Sequence, residues 1–199
     1  MVMKLLLLML ILNSAWANQE ICYPAITSTE FAEVVTRTKL THMPSLIETN
    51  IAIREFASDA YYLQAKPEIK SLLNKKRERK YFVEVNPKLY LCPPSMDALE
   101  AILVHEFEHV VDYENMSSLE IAGFGAKYGT SKKFRAKYER ATDEKVLKKS
   151  LGLGLIGYRE WIYSKLSPKD ILVKKRYYYT PEEIDEWMVT QHTNQVKIR

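Results

Sequence analysis

The segment AILVHEFEHVVDY, residues 101–113, constrains this chain most, because an apolar run carries two histidines and two glutamates at its centre. Its apolar residues follow the pattern of a buried helix, which tolerates unpaired charge poorly. His105 and His109 are four residues apart, so on a helix they project from one face, with β-carbons about 6 Å apart. Two such imidazoles can hold one zinc ion, and Glu106 can then act as general base on a water at the metal.

A catalytic zinc site needs a third protein ligand and one position left open for water. A metzincin-like site would place a glycine three residues and a histidine six residues after His109, but this chain has Asp112 and Asn115 there. Asp112 lies one turn beyond the two histidines, which favours a supporting or surface role. The remaining route is a glutamate from a later helix. The segment YERATDEKV supplies Glu139, with Asp143 four residues further on the same helical face.

The motifs HEFEH and ERATD resemble those of the gluzincin branch of zinc metallopeptidases, as in thermolysin-like and Ste24/HtpX-like enzymes. The resemblance implies that one zinc ion is bound by His105, His109 and Glu139. It also implies that Glu106 is the general base and that Asp143 hydrogen-bonds a ligand histidine from behind. The expected protein is a zinc metallopeptidase.

The resemblance covers mainly residues 80–165 and implies a zincin-like fold. In zincins an extended edge strand before the active-site helix binds the peptide substrate, and KYFVEV at 80–85 occupies that place. The chain lacks the transmembrane helices of Ste24/HtpX-like enzymes, and it is much shorter than thermolysin-like enzymes. The expected reaction is endopeptidase hydrolysis, in which Glu106 assists the attack of a zinc-bound water on the peptide carbonyl.

Stabilising the oxyanion of this reaction requires a further hydrogen-bond donor near the metal. A tyrosine near a helix is far more often part of the core or the surface than catalytic. Four residues are candidates, and the sequence does not rank them: Tyr158, Arg159, Tyr163 and His192.

Residues 1–17 have the pattern of a secretory signal peptide. Lys4 precedes an apolar run from Leu5 to Leu12, and Ala15 and Ala17 form an A-x-A cleavage site. The alternative is an uncleaved anchor, but the apolar run is short for spanning a bilayer. Cleavage after Ala17 predicts an exported, soluble protein, secreted or periplasmic, without stable membrane insertion.

The two cysteines, Cys22 and Cys92, are predicted to form one disulfide, because exported chains meet oxidising compartments. The bridge would tie the N-terminal segment to the loop before the HEFEH helix. It would close a long loop, which the chain-entropy treatment values at about 4 kcal/mol. The alternative is that Cys92 is a metal ligand, although no second cysteine lies close to it in the sequence.

The pattern as a whole predicts an α+β fold, mostly helical, with a single zincin-like domain over residues 18–199. A small antiparallel sheet is expected to pack on the active-site helix, with KYFVEV as its best strand. Residues 116–131 hold three of the six glycines and are predicted to form a loop with at most one turn of helix. Asp97 is expected to cap the HEFEH helix, with Glu100 completing a capping box. The other predicted helices lie at 28–39, 45–65, 67–76, 131–152, 157–166 and 180–189.

The net charge of +4 is mild for 199 residues and argues against nucleic-acid binding. The basic segment at 74–82 is interpreted as a solvated loop or the approach to a strand, and the basic aromatic segment at 174–181 is interpreted as surface packing. The expected partner is a peptide or protein substrate, and the expected state is a monomer. Two other functions remain open: an exported zinc-binding or partner-binding module without proteolysis, and an amidase or endopeptidase acting on cell-wall peptides.

Overall fold

The computed structural model describes residues 20–197, apart from the side chains of residues 192 and 194–197. The predicted signal peptide, residues 1–17, lies outside this range. The described part is mostly helical with one small sheet, as the sequence predicts. Its elements are α1 (Ser28–His42), β1 (Asn50–Glu55), β2 (Leu63–Pro67), β3 (Lys80–Val85), α2 (Lys88–Leu91), α3 (Met96–Asn115), α4 (Ser118–Thr130), α5 (Lys132–Lys148), α6 (Gly152–Lys165), α7 (Pro168–Tyr177) and α8 (Pro181–Lys197).

The sheet has three strands in the order β1–β3–β2, so β3 lies in the middle. β1 runs parallel to β3 and pairs Asn50 with Lys80. β2 runs antiparallel to β3 and pairs Leu63 with Val85. The sheet is therefore mixed, and the prediction of an antiparallel sheet is wrong for β1. The prediction that KYFVEV is an edge strand is also wrong, because this segment forms β3, the middle strand.

Residues 45–65, predicted as a helix, instead contain β1 and most of β2. Ile51 and Ile53 alternate with other residues, and over so short a stretch this spacing suits a strand as well as a helix. Both segments are held by backbone pairing with β3, a distant interaction that local spacing does not reveal. The helix predicted at 67–76 is reduced to a 3-10 helix at Ile69–Leu73.

The prediction of a loop with at most one turn of helix over residues 116–131 is wrong, because Ser118–Thr130 form the 13-residue helix α4. Ser117 caps the helix: its side chain accepts the Glu120 N–H, and the Glu120 carboxylate accepts the Ser117 N–H at 2.7 Å. The glycines of α4 have ordinary negative φ, and each weakens the helix by roughly 1 kcal/mol relative to alanine. Ile121 is the one fully buried residue of α4. A capping box and a few apolar contacts therefore hold this helix.

α3 runs through the centre of the fold and contacts β2, α1, α5 and α6. It begins at Met96, where the Ser95 hydroxyl accepts the N–H of Ala98, so the predicted cap at Asp97 is wrong. Twelve of its 20 residues are buried. α6 crosses it so closely that a β-carbon at Gly154 would lie 2.4 Å from the Asp97 carbonyl oxygen. This close packing buries the helix that carries the HEFEH motif.

Cys22 and Cys92 form the predicted disulfide. The bridge ties the N-terminal segment to the turn between α2 and α3, where the Trp161 indole N–H donates to the Cys92 carbonyl at 3.1 Å. Because Cys92 is bonded to Cys22, it is not a metal ligand. Within residues 20–197, no helix combines the length and apolar character needed to cross a membrane.

Candidate metal centre

Three side chains from two helices meet at the centre of the molecule. His105 and His109 come from α3, and Glu139 comes from α5. Nε2 of His105 lies 3.1 Å from Oε2 of Glu139, and Nε2 of His109 lies 3.4 Å from the same oxygen. The three residues are almost fully buried, with exposed fractions of 1%, 7% and 1%. The structure thus brings together the three residues that the sequence selects as ligands.

The arrangement of these atoms suits a tetrahedral metal ion. Ligand atoms around zinc, with bonds of about 2.0–2.1 Å, are separated by about 3.3 Å when the geometry is tetrahedral. The two nitrogen–oxygen distances in the site, 3.1 and 3.4 Å, bracket that value. The three ligand atoms all lie within 4.8 Å of one another. Two imidazoles and one carboxylate also match a donor set of catalytic zinc sites, so these residues fit the ion.

The buried Glu139 carboxylate and the His105 imidazole stabilise each other's charged forms. Burial alone would raise the pKa of Glu139, but His109 and His105 hold it well below the ordinary value. Burial alone would lower the pKa of His105, but Asp143 and Glu139 raise it to about 10. Glu139 and Asp143 therefore bring two carboxylates against His105 in the core of the protein.

Asp143 lies behind His105, as the resemblance implies. Its Oδ1 is 2.8 Å from Nδ1 of His105, a charge contact whose angle falls outside strict hydrogen-bond geometry. The same oxygen accepts from the Arg159 guanidinium at 2.7 Å, and Oδ2 accepts the Tyr179 N–H at 3.0 Å. Burial would raise the pKa of Asp143, but Arg159 and His105 lower it. Asp143 is therefore anionic and fixes the ring of His105.

Two tyrosines support the other two ligands, and the sequence did not single them out. The Tyr138 hydroxyl lies 2.9 Å from Nδ1 of His109. The Tyr128 hydroxyl, from α4, donates to Oε1 of Glu139 and leaves Oε2 facing the histidines. Each of the three ligands is thus held by a second residue, which is how metal ligands are commonly oriented.

A cavity of about 440 Å³ opens beside the three ligands. Glu106 is on its wall with His109 and Glu139, and Glu106 also borders a smaller cavity that touches His105. The larger cavity is lined mainly by apolar and aromatic side chains from β2, α4 and their neighbours: Tyr61, Leu63, Ala65, Pro67, Ile69, Leu72, Tyr113, Ile121, Ala122, Phe124, Tyr128, Tyr138 and Tyr178. Glu106 therefore lies where the candidate metal ligands meet a cavity of about 440 Å³.

β2, rather than β3, is the strand beside this cavity. Asn86 N–H donates to the Tyr62 carbonyl, and Glu68 N–H donates to the Lys80 carbonyl, both at 2.8 Å. In an antiparallel pair the bonding direction alternates, so the backbone groups of Leu63 and Ala65 point away from β3. β2, and not β3, therefore presents the sheet edge beside the cavity.

The four residues proposed as oxyanion donors lie in different surroundings from one another. Tyr158 is buried in the small cavity with Glu106, whereas Arg159 is engaged with Asp143. Tyr163 lines neither cavity beside the ligands, and the His192 side chain lies outside the described part of α8.

Tyr178 occupies a position that the sequence did not predict. It lines both cavities, and its ring centre is 5.8 Å from that of His105. Burial, with Glu139 nearby, raises the pKa of its hydroxyl well above the ordinary value, so the hydroxyl stays protonated. Tyr178 comes from the segment 174–181, interpreted from sequence as surface. Its aromatic content was a signal, but only the folded chain shows that this tyrosine turns inward.

No family model, curated protein or solved structure matches this chain. The functional argument therefore depends on the geometry and chemistry of the site.

Proposed function

We propose that the protein is an exported, zinc-dependent endopeptidase. The observation that carries this proposal is the buried group of His105, His109 and Glu139, with Glu106 beside it on the wall of a large cavity. A purely structural zinc site usually fills all four positions with protein ligands, whereas this one offers three. The signal-like sequence at residues 1–17 and the disulfide support export.

Zinc would be held by His105, His109 and Glu139, and when bound it supplies a Lewis acid that polarises the substrate carbonyl and acidifies water. Glu106 accepts the proton of the attacking water and transfers it to the leaving amine. Asp143 keeps the ring of His105 oriented throughout. The low exposure of these groups limits access of bulk water, which strengthens their electrostatic interactions.

Two tyrosines are candidates to donate a hydrogen bond to the developing oxyanion. Tyr178 lines both cavities near His105, and Tyr158 lines the smaller one beside Glu106. Both keep their protons because burial raises the pKa of each hydroxyl. Tyr178 is preferred because it also reaches the larger cavity, where the substrate would lie.

The free edge of β2 would bind the substrate backbone. A peptide that adds to this edge would hydrogen-bond to the outward-pointing groups of Leu63 and Ala65, as in β-strand addition. One of its side chains would then enter the apolar cavity of about 440 Å³. The cavity's aromatic lining favours a large apolar side chain next to the cleaved bond.

The proposal is tested by measuring zinc content and peptide cleavage in parallel. Purified protein should hold about one zinc per chain and cleave peptides that carry bulky apolar residues. Glu139→Ala should lose most of the zinc. Glu106→Gln should keep the zinc but lose at least 100-fold in activity, because it removes the general base. Glu33→Gln, on the exposed face of α1, is the matched control and should change neither.

The assay should include cell-wall peptides, which would identify the amidase alternative. Zinc binding with no cleavage of either substrate class would favour a binding module. Absence of zinc after gentle purification would contradict the metal site itself.

A further inference from the structure

Three apolar side chains project into solvent beside the mouth of the large cavity. Leu73 is 92% exposed and Leu119 is 83% exposed, the two highest values among large apolar residues in the described part of the chain. Ile69 is 73% exposed. The Ser118 hydroxyl donates a hydrogen bond to the Leu72 carbonyl. Leu73 and Leu119 each follow one of these two hydrogen-bonded residues in the chain. Such exposure is unfavourable in water unless another surface covers it.

The same segment carries a concentration of positive charge. Between residues 69 and 80 there are five exposed basic side chains and one exposed acid, Glu78. Arg79 points inward instead, where it donates to the Met116 carbonyl at 2.7 Å and to the Ser118 hydroxyl at 3.1 Å. This contact fixes the segment against the start of α4. We define the rim patch as the three apolar residues Ile69, Leu73 and Leu119 with Lys70, Lys75, Lys76, Arg77 and Lys80.

We propose that the rim patch binds the surface of an anionic lipid bilayer. Exposed aliphatic side chains that enter the headgroup region, surrounded by lysines that attract anionic lipids, are the two components of peripheral membrane binding. A protein partner fits less well, because lysine is depleted in the cores of protein interfaces. Long, mobile lysine side chains instead suit mobile lipid headgroups.

Binding through the rim patch would orient the cavity towards the bilayer. Ile69 belongs to the patch and also lines the cavity, together with its neighbour Leu72. This step rests on the proposed function. If that function is correct, the substrates are peptide segments that emerge next to a membrane surface. The membrane binding itself does not depend on catalysis and is measurable without it.

The test is co-sedimentation of the purified protein with phosphatidylcholine vesicles that contain 30% phosphatidylglycerol, compared with pure phosphatidylcholine vesicles. Wild type should bind the anionic vesicles and lose binding as salt is raised. Lys75→Gln and Lys76→Gln should each weaken binding about fivefold. The double variant Leu73→Ser, Leu119→Ser should abolish most of the binding without unfolding the protein, because both side chains are exposed.

Matched controls lie elsewhere on the molecule. Leu153→Ser removes a leucine that is 77% exposed near the opposite end of α3, and Lys148→Gln and Lys169→Gln remove exposed lysines. All three should bind as wild type. Equal binding to neutral and anionic vesicles, no binding at all, or unchanged binding of the patch variants would overturn the proposal. So would a wild-type dimer that the leucine variant converts to monomer without any vesicle binding. Peptide cleavage in solution, measured on the same samples, tests the proposed function separately.

Discussion

Replacing Arg159 with methionine should destabilise the protein by about 3–5 kcal/mol, because it removes one partner of a buried ion pair. The guanidinium donates to Oδ1 of Asp143 at 2.7 Å and to the Tyr179 carbonyl at 3.2 Å. The exposed fractions of Arg159 and Asp143 are 3% and 0%, so water cannot replace the lost partner. Methionine retains much of the side-chain volume, which keeps the cost of an added cavity small.

The assay is urea denaturation at pH 7 with a chelator present, so that metal binding does not contribute to the measured stability. For a chain of this size the expected loss corresponds to a decrease in melting temperature of about 6–20 °C. Adding Asp143→Asn should recover part of the loss, because the buried side chain that has lost Arg159 is then uncharged. Arg176→Met, on the exposed side of α7, should stay within about 0.5 kcal/mol of wild type. A loss below about 1 kcal/mol for Arg159→Met would refute the reasoning.

Three further predictions concern stability. Gly123→Ala should stabilise the protein by up to about 1 kcal/mol in urea denaturation, because the new β-carbon would meet nothing within 4 Å and alanine favours the helix; a destabilised variant would contradict this. Burial would raise the pKa of Glu84, but Arg54 and a second basic side chain lower it. The resulting stability is present above the unfolded pKa of about 4.3 and is lost as pH falls through the folded pKa, so Glu84→Gln should flatten the acid limb of the stability–pH curve; a limb as steep as in wild type would count against it. Reducing the Cys22–Cys92 bridge should cost about 4 kcal/mol, since the two cysteines are 70 residues apart; an unchanged melting temperature under reducing conditions would refute it.

Local sequence patterns predict the elements whose determinants are local. The capping box of α8 is one example: Thr180 N–H donates to the Glu183 carboxylate at 2.8 Å, and Glu183 N–H donates to the Thr180 hydroxyl at 3.3 Å. β1 and β2 were missed because their conformation depends on pairing with β3, which is distant in sequence. α4 was missed because its glycines outweighed the capping signal at Ser117.

The same distinction between local and distant determinants applies to the candidate metal site. His105, Glu106 and His109 follow from helical spacing, and Glu139 follows from the requirement for a third ligand on a later helix. Nothing in spacing marks Tyr128, Tyr138 or Tyr178 among the thirteen tyrosines of the chain. Their positions depend on how α4, α5 and the segment after α7 pack around α3. Residues that support a metal site from behind are therefore harder to predict than the ligands.

The contact between Tyr128 and Glu139 joins the least stable part of the site to the most buried part. α4 has three glycines and only Ile121 buried, so few packing contacts hold it against the rest of the fold. Glu139 is fixed in the core, and its Oε1 accepts the Tyr128 hydroxyl from α4. A ligand that holds Glu139 in this orientation also favours the docked position of α4, because the two are linked by one hydrogen bond. By reciprocity, if Glu139 holds zinc as proposed, loss of the Tyr128 contact would weaken the binding of that ion. Under the proposed function, the helix that lines the cavity would therefore be linked to the zinc site through this one hydrogen bond.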